Sequence, residues 1–500
     1  MDSILFRSCV VAVMFWFMPN HTAWADEKKD IYLVVWSATR SDHLSAYGYE
    51  RDTTPNLNKL AENAVVFTDA NASGGWNPPS AASLFTGLFS VNHRVDYAPT
   101  KEQMDIPDKV NTLAEVLRDD GYYTALFTAQ SLFYKDGFTQ GFMEHEKLGS
   151  GHFQSRIPTT LEKAGDKPVF IVLYWLNPHA PYSPPELHDL YTDPNGPQVN
   201  LVIRKEDKKR PGDVTHQEVN SGKVVLDDAQ WEQLKARYDG ELHSSDQRMQ
   251  NGIEKFKQTR SWDDTVFVMT SDHGEMFNER SQMRVWHGWP THENQRVPLI
   301  IKAPGQKGRV TVDSLVRGVD VFPTVLDLAG VTYKGALNGK SLVPMMNGAP
   351  EADRPNMGAT HHSSGLMFYK NGMYNLITSR LNEKKSYLYD LTADPTELKN
   401  LATSNPELLA QVQTEMKAFI ASSTVDVESS GDSVVFGKEG APAVSASKSS
   451  DVSGPRDPSE DSTTEAKGCG CASSDSGVPV GWVGLLGLVI GLRRRSTDLL

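Results

Sequence analysis

The stretch IYLVVW, residues 31–36, is a continuous apolar run that is followed at once by the polar residues 37–40, SATR. An apolar run without alternation predicts a strand that is buried on both faces, as in a parallel sheet covered by helices. Similar apolar segments follow at 169–175 (VFIVLYW), 266–270 and 298–302. These segments predict the central strands of one sheet.

Helical patterns lie between the predicted strands. Helices are predicted at 56–64, 112–120 and 320–329, and a further strand at 122–128. Alternating strands and helices predict an α/β domain, here residues 26–345, with a mainly parallel sheet sandwiched by helices.

The pattern changes after about residue 350. Asn371-Gly372 is a strong hairpin signal between the predicted strands 367–370 and 373–378. A strand at 387–391 and an amphipathic helix at 406–420 complete this part. We predict a smaller C-terminal subdomain, residues 346–425, with an antiparallel sheet and one helix packed on it.

The N-terminus predicts export. Residues 1–25 contain Arg7, an apolar run at 9–18 and an A-x-A cleavage site at 23–25, which together are typical of a signal peptide. Residues 26–425 contain no cysteine. The exported part must therefore be stabilised by a large core rather than by disulfides, and it offers no catalytic cysteine.

The C-terminus predicts an anchor. Residues 426–467 are rich in Ser, Asp, Glu, Gly and Pro, as in a disordered stalk. Residues 468–500 hold Cys469-Gly470-Cys471, an apolar segment at 478–492 and three arginines at 493–495. This tail is either a short membrane helix or a sorting signal, and it resembles the sorting tails of myxobacteria and related Gram-negative bacteria. Both interpretations place the protein at the cell surface or outer membrane.

The charge of the chain excludes one class of partner. The formal net charge is −13, and no cluster of Lys and Arg is long enough to bind nucleic acid.

Polar residues follow three of the predicted strands where each one ends. They are residues 37–40, Asn177-Pro178-His179 and residues 271–275 (SDHGE). Ligands of open α/β sheets bind at the carboxyl ends of the strands, so these residues predict a shared cleft.

The segment GGWNPPSAASLFTG, residues 74–87, predicts a helix whose start can bind an anion. Gly74 and Gly75 predict a mobile approach. We expect Asn77 to cap the helix, since Asn is a favoured N-cap and Pro78 suits the first helical position.

These motifs, in this order, resemble the sulfatase family of the alkaline-phosphatase superfamily. The resemblance covers about residues 31–402 and is strongest in RSDHLSAYGYERDTTPNLNKLAENAVVFTDANA (40–72), NPHAPYSPP (177–185), TSDHGEMF (270–277) and HGWPTHENQRVPLIIKAPG (287–305). The resemblance implies a sulfuric ester hydrolase fold, a divalent cation of the calcium type, and a formylglycine nucleophile made from Cys or Ser.

The chain departs from the family pattern at the reactive positions. Asn77 stands at the nucleophile position, so no formylglycine can form there. Ser37 and Ala38 stand at two positions for cation ligands, which makes a bound cation doubtful, since hard cations require several carboxylate oxygens.

The matching positions imply the remaining roles. Asp272 and His273 correspond to metal ligands, with a turn in which Asp272 accepts backbone N–H groups as the alternative. His179 and His287 correspond to catalytic residues. The predicted substrate-binding residues are Arg40, His93 and Ser80. A structural helix-end role is the alternative for His93, and a hydroxyl bonded to backbone is the alternative for Ser80.

Two hypotheses remain at this point. The first is a non-catalytic pseudoenzyme at the cell surface that binds an anionic or sulfated glycan or small molecule. The second is an active, metal-dependent sulfate or phosphate ester hydrolase with an altered mechanism that uses Asp272, His273, His179 and His287.

Overall fold

The computed structural model describes residues 28–95, 104–133, 136–149, 151–281, 283–350, 354–360, 365–380, 382 and 384–425. The predicted signal peptide, stalk and C-terminal tail lie outside these residues. The strands are β1 Ile31–Trp36, β2 Val65–Phe67, β3 Ala70–Asn71, β4 Tyr123–Thr128, β5 Glu144–Lys147, β6 Val169–Trp175, β7 Asn200–Val202, β8 Asp213–Thr215, β9 Val266–Thr270, β10 Met276–Phe277, β11 Val285–Trp286, β12 Leu299–Lys302, β13 Val310–Val312, β14 Val316–Arg317, β15 Asn356–Ala359, β16 Leu366–Lys370, β17 Tyr374–Ser379 and β18 Ser386–Asp390. The helices are α1 Pro55–Ala61, α2 Asn77–Thr86, α3 Ser90–His93, α4 Leu113–Asp119, α5 Phe153–Ala164, α6 His216–Asn220, α7 Asp228–Phe256, α8 His292–Gln295, α9 Val321–Leu328, α10 Val343–Met346 and α11 Pro406–Ser423.

An eight-stranded sheet forms the centre of the large domain, in the order β13-β2-β12-β9-β1-β6-β4-β5. The five strands from β9 to β5 run parallel to their neighbours, whereas β12 is antiparallel to both β9 and β2. The sheet is therefore mainly parallel, as predicted, and β1 lies near its middle.

Side chains of β1 alternate between two apolar cores. Ile31, Leu33 and Val35 pack on the face that α2, α4 and α9 cover. The other three residues of β1 pack on the face that α1, α5 and α7 cover. Helices on both faces explain why this strand is apolar throughout, and they confirm the predicted sandwich.

The smaller antiparallel sheet has the order β15-β16-β17-β18. Its inner face packs against α11 through Leu376, Leu388, Val412 and Met416. The hairpin between β16 and β17 forms at Asn371-Gly372, with one loop residue more than the two-residue turn predicts.

The helices α5 and α7 were not predicted from the sequence. They are the two longest helices on the face of the sheet that α1, α5 and α7 cover. In α7, the buried residues Asp239, Glu241 and Asp246 interrupt the apolar pattern. Their partners come from distant segments: Asp239 contacts His43 at 2.8 Å and Arg51 at 2.7 Å. A buried carboxylate with such partners is stable, but its pattern in the sequence is that of a polar surface.

Candidate active site

Three neighbouring strand ends bring the predicted polar residues together. β1 lies between β6 and β9, and residues 37–40, 177–179 and 271–275 follow these strands at one edge of the sheet. The N-terminus of α2 lies against the same edge, because the Ser80 hydroxyl donates a hydrogen bond to the Asp272 carbonyl.

The carboxylate of Asp272 is the centre of this edge. It is 1 % exposed, and three side chains donate to its Oδ2 atom. The Tyr174 hydroxyl lies at 2.6 Å, the Asn77 amide nitrogen at 2.8 Å and the Ser37 hydroxyl at 3.2 Å. Burial and the Asp272 carboxylate raise the pKa of Tyr174 well above its usual range, so Tyr174 stays a donor.

The other carboxylate oxygen of Asp272, Oδ1, accepts hydrogen bonds from two backbone N–H groups. The N–H groups of Ala38 and His273 donate to Oδ1 at 3.0 and 2.9 Å. Ala38 adopts a left-handed conformation, with φ 57°, which turns the chain after β1 so that this N–H faces the carboxylate. Asp272 thus accepts backbone N–H groups at the turn after β9, which is the arrangement that the sequence analysis gave as the alternative to a metal ligand.

Asn77 does not cap its helix, contrary to the prediction. The helix begins at Asn77, Trp76 is the N-cap, and no side chain accepts a capping hydrogen bond. If Asn77 were the N-cap, its side chain would accept from the Pro79 or Ser80 nitrogen. Pro79 has no N–H, and the Ser80 N–H donates to the Trp76 carbonyl at 3.3 Å. The Asn77 amide instead donates to Ser37 at 2.8 Å and to Asp272.

The approach to α2 is also packed rather than mobile, contrary to the expectation for Gly74 and Gly75. Both glycines are buried. A Cβ atom on Gly74 would lie 2.6 Å from the Ser80 nitrogen, so only glycine allows the loop to pass this close to the helix.

Two of the predicted substrate-binding residues, Ser80 and His93, form hydrogen bonds with other residues of the protein. The Ser80 hydroxyl is bonded to the Asp272 backbone. His93 is fully buried: its Nε2 lies 3.0 Å from the Ser83 hydroxyl, and its Nδ1 accepts the Val95 N–H at 3.0 Å. Burial lowers the pKa of His93 to about 3. Both residues therefore have the structural roles that the sequence offered as alternatives.

The Arg40 guanidinium is held by two carboxylates. It contacts Asp42 at 2.9 and 2.7 Å, forms an ion pair with Glu279, and donates to the Glu275 carbonyl at 3.2 Å. Although burial opposes the charge, Asp42 and Glu279 raise the pKa of Arg40. Arg40 therefore lies next to the site as part of an ion-pair network.

Three histidines form a cluster above Asp272. The ring centroids of His273 and His287 are 4.3 Å apart, those of His179 and His287 are 4.8 Å apart, and those of His179 and His273 are 6.3 Å apart. Trp286 covers the cluster, with its ring stacked on His287 at 4.7 Å and on His216 at 4.3 Å. The predicted site histidines thus meet in space, although they are far apart in the chain.

Hydrogen bonds assign the protons of two of these rings. The Nδ1 atoms of His179 and His273 each lie 2.7 Å from a backbone carbonyl, those of Ala180 and Gly274. Because a carbonyl only accepts, Nδ1 carries a proton in both rings. Burial lowers the pKa of His179 to about 4, so this ring is neutral at pH 7.

A buried carboxyl group lies beside the cluster. Glu275 is fully buried, and its Oε1 is 3.8 Å from Nδ1 of His287. Burial raises the pKa of Glu275 to about 8, and the nearby Tyr182 hydroxyl and Met276 N–H offset only part of that rise. The group is therefore mostly a neutral acid at pH 7.

Sequence reasoning missed the roles of Tyr174, Trp286 and Glu275. A tyrosine near the end of a buried strand needs a partner for its hydroxyl, and this signal was available for Tyr174. For Trp286 the sequence gives a weaker indication of a role at the site, because its φ of 96° and its stacking on two histidines are seen only in the structure.

The residues present do not fit a calcium-type cation. Calcium takes six to eight oxygen ligands, mostly from carboxylates. Asp272 is the carboxylate at the position that the resemblance gives to a cation ligand. The groups that face it are hydrogen-bond donors: two hydroxyls, an amide NH₂ and two backbone N–H groups. Within the described part of the chain, no group of three or more His, Cys, Asp or Glu side chains is arranged to hold a metal ion.

Comparison with solved structures identifies the class of fold. The phosphonate monoester hydrolase of Agrobacterium radiobacter superposes with a TM-score of 0.61 and 21 % identity, over 79 % of this chain and 96 % of that chain. At this identity the similarity establishes the fold alone.

The chain belongs to the sulfatase family. The family profile "Sulfatase" matches residues 29–331, and the profile "N-sulphoglucosamine sulphohydrolase, C-terminal" matches residues 287–425. The arylsulfatase of Clostridium perfringens is 24 % identical over 75 % of this chain and 91 % of its own length. The ulvan-active sulfatase of Formosa agariphila is 26 % identical over 74 % of this chain and 76 % of its own. The predicted membership is confirmed.

Proposed function

We propose that this protein is a non-catalytic member of the sulfatase family that binds a sulfated or otherwise anionic glycan at the cell surface. One observation carries the proposal. An amide, Asn77, stands at the nucleophile position and donates into the Asp272 carboxylate at 2.8 Å. An amide has no nucleophilic oxygen or sulfur to form a covalent intermediate, and here it also satisfies the carboxylate that a cation would need.

The ligand class is inferred from the matched families and from the histidine cluster. One matched profile and one relative carry names that refer to sulfated sugars. Trp286 is half-buried at the edge of the cluster, where its ring stacks on His287 and His216, and a bound sugar would contact the part of the indole that these rings leave exposed. Burial lowers the pKa of His179 to about 4, but an anionic substituent bound beside the ring would favour its protonated form, in which Nε2 donates a hydrogen bond to the anion.

Export and anchoring belong to the same proposal and depend on residues 1–25 and 426–500. Among the described residues, none of the helices is long and apolar enough to cross a membrane. The proposed location is the surface or outer membrane of a Gram-negative bacterium.

The test combines turnover with binding. The purified full-length chain is incubated with aryl sulfates and sulfated oligosaccharides, and released sulfate is measured. Binding of the same oligosaccharides is measured by calorimetry for the wild type, for Trp286→Ala, and for Lys223→Ala, an exposed control. We expect no sulfate release, and saturable binding that Trp286→Ala weakens and Lys223→Ala does not.

Sulfate release that His179→Ala abolishes would overturn the proposal in favour of a hydrolase with an altered mechanism. Absence of saturable binding in the wild type would also overturn it. The variant Ser37→Asp/Ala38→Asp/Asn77→Cys, which places two carboxylates and a thiol at the positions where the family pattern has them, tests whether turnover can be restored to the scaffold.

A further inference from the structure

A cavity lies at the end of the central sheet that is opposite to the histidine cluster. Its volume is about 340 Å³, and it lies where β9 begins and β12 ends. Since a strand rises about 3.3 Å per residue and β9 has five residues, the cavity is roughly 17 Å from Asp272. This size lies within the range of small-ligand pockets, ~300–1,000 Å³.

Four lysines line this cavity, which we call the lysine pocket: Lys59, Lys257, Lys302 and Lys307. They come from α1, the end of α7, β12 and the turn after β12. One carboxylate, Asp263, lies among the described lining residues. In a chain of net charge −13 this is a local excess of positive charge. Such a concave positive surface attracts anions.

The ammonium group of Lys302 is a buried charge at the wall of the pocket. Lys302 is 5 % exposed, and its Nζ donates to the carbonyls of Trp262, Asp263 and Thr265 at 2.7, 3.1 and 3.2 Å. Among the described residues no carboxylate lies within ion-pair distance of this ammonium. Burial lowers the pKa of Lys302 to about 8. The charge is thus held by carbonyl dipoles without a bonded counter-ion, and an anion in the pocket would stabilise it.

Of the other lysines, Lys59 and Lys307 are available to a ligand, whereas Lys257 is paired with Glu254 at 3.0 Å. Lys59 is exposed, and its ammonium forms no ion pair or hydrogen bond with the described residues. Lys307 pairs with Asp263 at 3.5 Å, and both side chains are about three-quarters exposed. Exposed pairs of this kind contribute only about 0–1 kcal/mol, so a ligand anion can replace the aspartate.

The rest of the lining is partly apolar. Leu60, Ile253 and Trp262 contribute to it. Lysine binds sulfate and phosphate groups as a point charge, and an apolar wall suits the carbon face of a sugar. We propose that the lysine pocket binds the tetrahedral oxyanion of a sugar sulfate or sugar phosphate ester. This site lies at the opposite end of the sheet from the histidine cluster and does not depend on the function proposed for that cluster.

Calorimetric titration of the full-length chain tests the proposal. The probes are glucose 6-sulfate and glucose 6-phosphate, which separate the two sources of the oxyanion. We expect saturable binding of at least one probe, weaker at higher ionic strength. The variant Lys59→Ala/Lys307→Ala should lose at least about tenfold in affinity, or about 1.4 kcal/mol. Lys223→Ala, at an exposed site elsewhere, should bind as the wild type does.

Two results would overturn the proposal. One is the absence of saturable binding, or equal affinity in the wild type and the double lysine variant. The other is binding that His179→Ala abolishes and the lysine variant retains, because the ligand would then lie at the histidine cluster. Unchanged thermal unfolding of both lysine variants, whose substituted side chains are exposed, verifies that they are folded.

Discussion

Asp272 illustrates how neutral donors keep a carboxylate buried without a cation. Ser37 and Asn77, which the resemblance places at a ligand position and at the nucleophile position, both donate hydrogen bonds to the carboxylate. Tyr174 adds the shortest of these contacts, 2.6 Å. Hydrogen bonds to a charged group contribute more than those between neutral groups, so each donor matters for stability.

Tyr174→Phe tests the contribution of this hydroxyl. Removing it leaves the buried Asp272 carboxylate with one donor fewer, and we expect a loss of about 1.5–3 kcal/mol in the free energy of unfolding, measured by urea denaturation. The matched control is Tyr32→Phe on β1, because the buried Tyr32 hydroxyl has no hydrogen-bond partner among the residues that the structure describes. The control should lose nothing. Equal effects of the two substitutions would contradict the role given to Tyr174.

Glu275→Gln should change how stability depends on pH. The folded protein keeps the Glu275 proton up to about pH 8, whereas the unfolded chain releases it near 4.5. Between these values unfolding releases a proton, so this group makes stability fall with rising pH by up to about 1.4 kcal/mol per unit. Glutamine cannot titrate.

The stability of Glu275→Gln relative to the wild type should therefore increase from pH 5 to pH 8 in urea denaturation. Glu162→Gln, at an exposed position of α5, is the control and should run parallel to the wild type. If the Glu275→Gln curve is also parallel, Glu275 is already ionised in the folded protein.

Among the helices, α2 and α7 show how close packing places the site. Pro78 and Pro79 start α2 without a side-chain cap, and the close approach at Gly74 holds that start against the sheet edge. The 29-residue α7 carries Tyr238, whose hydroxyl donates to the Ala38 carbonyl at 2.7 Å and accepts the Arg40 N–H at 2.9 Å. Both helices thereby support the turn after β1.

Gly240→Ala tests the packing of α7. In an open helix this change adds about 1 kcal/mol of stability. Here the new Cβ would lie 2.8 Å from the His188 carbonyl oxygen and 2.9 Å from Pro184 Cβ. We therefore expect a loss of about 1–3 kcal/mol, measured by thermal or urea unfolding. Asn251→Ala, at an exposed position of α7, should be neutral or slightly stabilising. A gain of stability in Gly240→Ala would show that the loop before α7 is not packed on it.

The molecule as a whole has the scaffold of a sulfatase-family hydrolase, with a buried, hydrogen-bonded carboxylate at one edge of its central sheet. Two apolar cores and a second sheet closed by α11 are built mainly from residues outside the site, although Tyr174 belongs to one core and Trp286 packs against the other. The polar groups buried at the site are satisfied by partners within the protein, as around Asp272.

Calcium should have no effect on the stability of the wild type. A ligand that binds only the folded state raises the unfolding midpoint in proportion to ln(1 + [L]/Kd), and the donors around Asp272 leave no place for a cation. We expect the same midpoint in calcium and in EDTA by differential scanning calorimetry.

The variant Ser37→Asp/Ala38→Asp is the comparison for calcium binding. It places three carboxylates together, so it should be less stable in EDTA and recover with calcium. A saturable rise of the wild-type midpoint with calcium would contradict our interpretation of the site.

Much of the fold was predictable because its signals are local. The strands at 31–36, 169–175 and 266–270 were predicted at their observed bounds, since a strand covered on both faces is apolar throughout. The meeting of polar residues at one sheet edge followed from the rule for parallel strands. In contrast, α7 was missed, because its buried carboxylates take partners from segments that are distant in the chain.

The amino-acid sequence alone determined the family and the order of strands and helices, and through the resemblance it predicts Asn77 at the nucleophile position, because each depends on residue identities and short-range patterns. The three-dimensional arrangement was needed to find that Asn77 donates to Asp272 rather than capping its helix, that Tyr174 completes the same carboxylate, and that four lysines from separate segments line one pocket. The physical reason is that hydrogen bonding and charge clustering depend on distances between atoms that are remote in the chain.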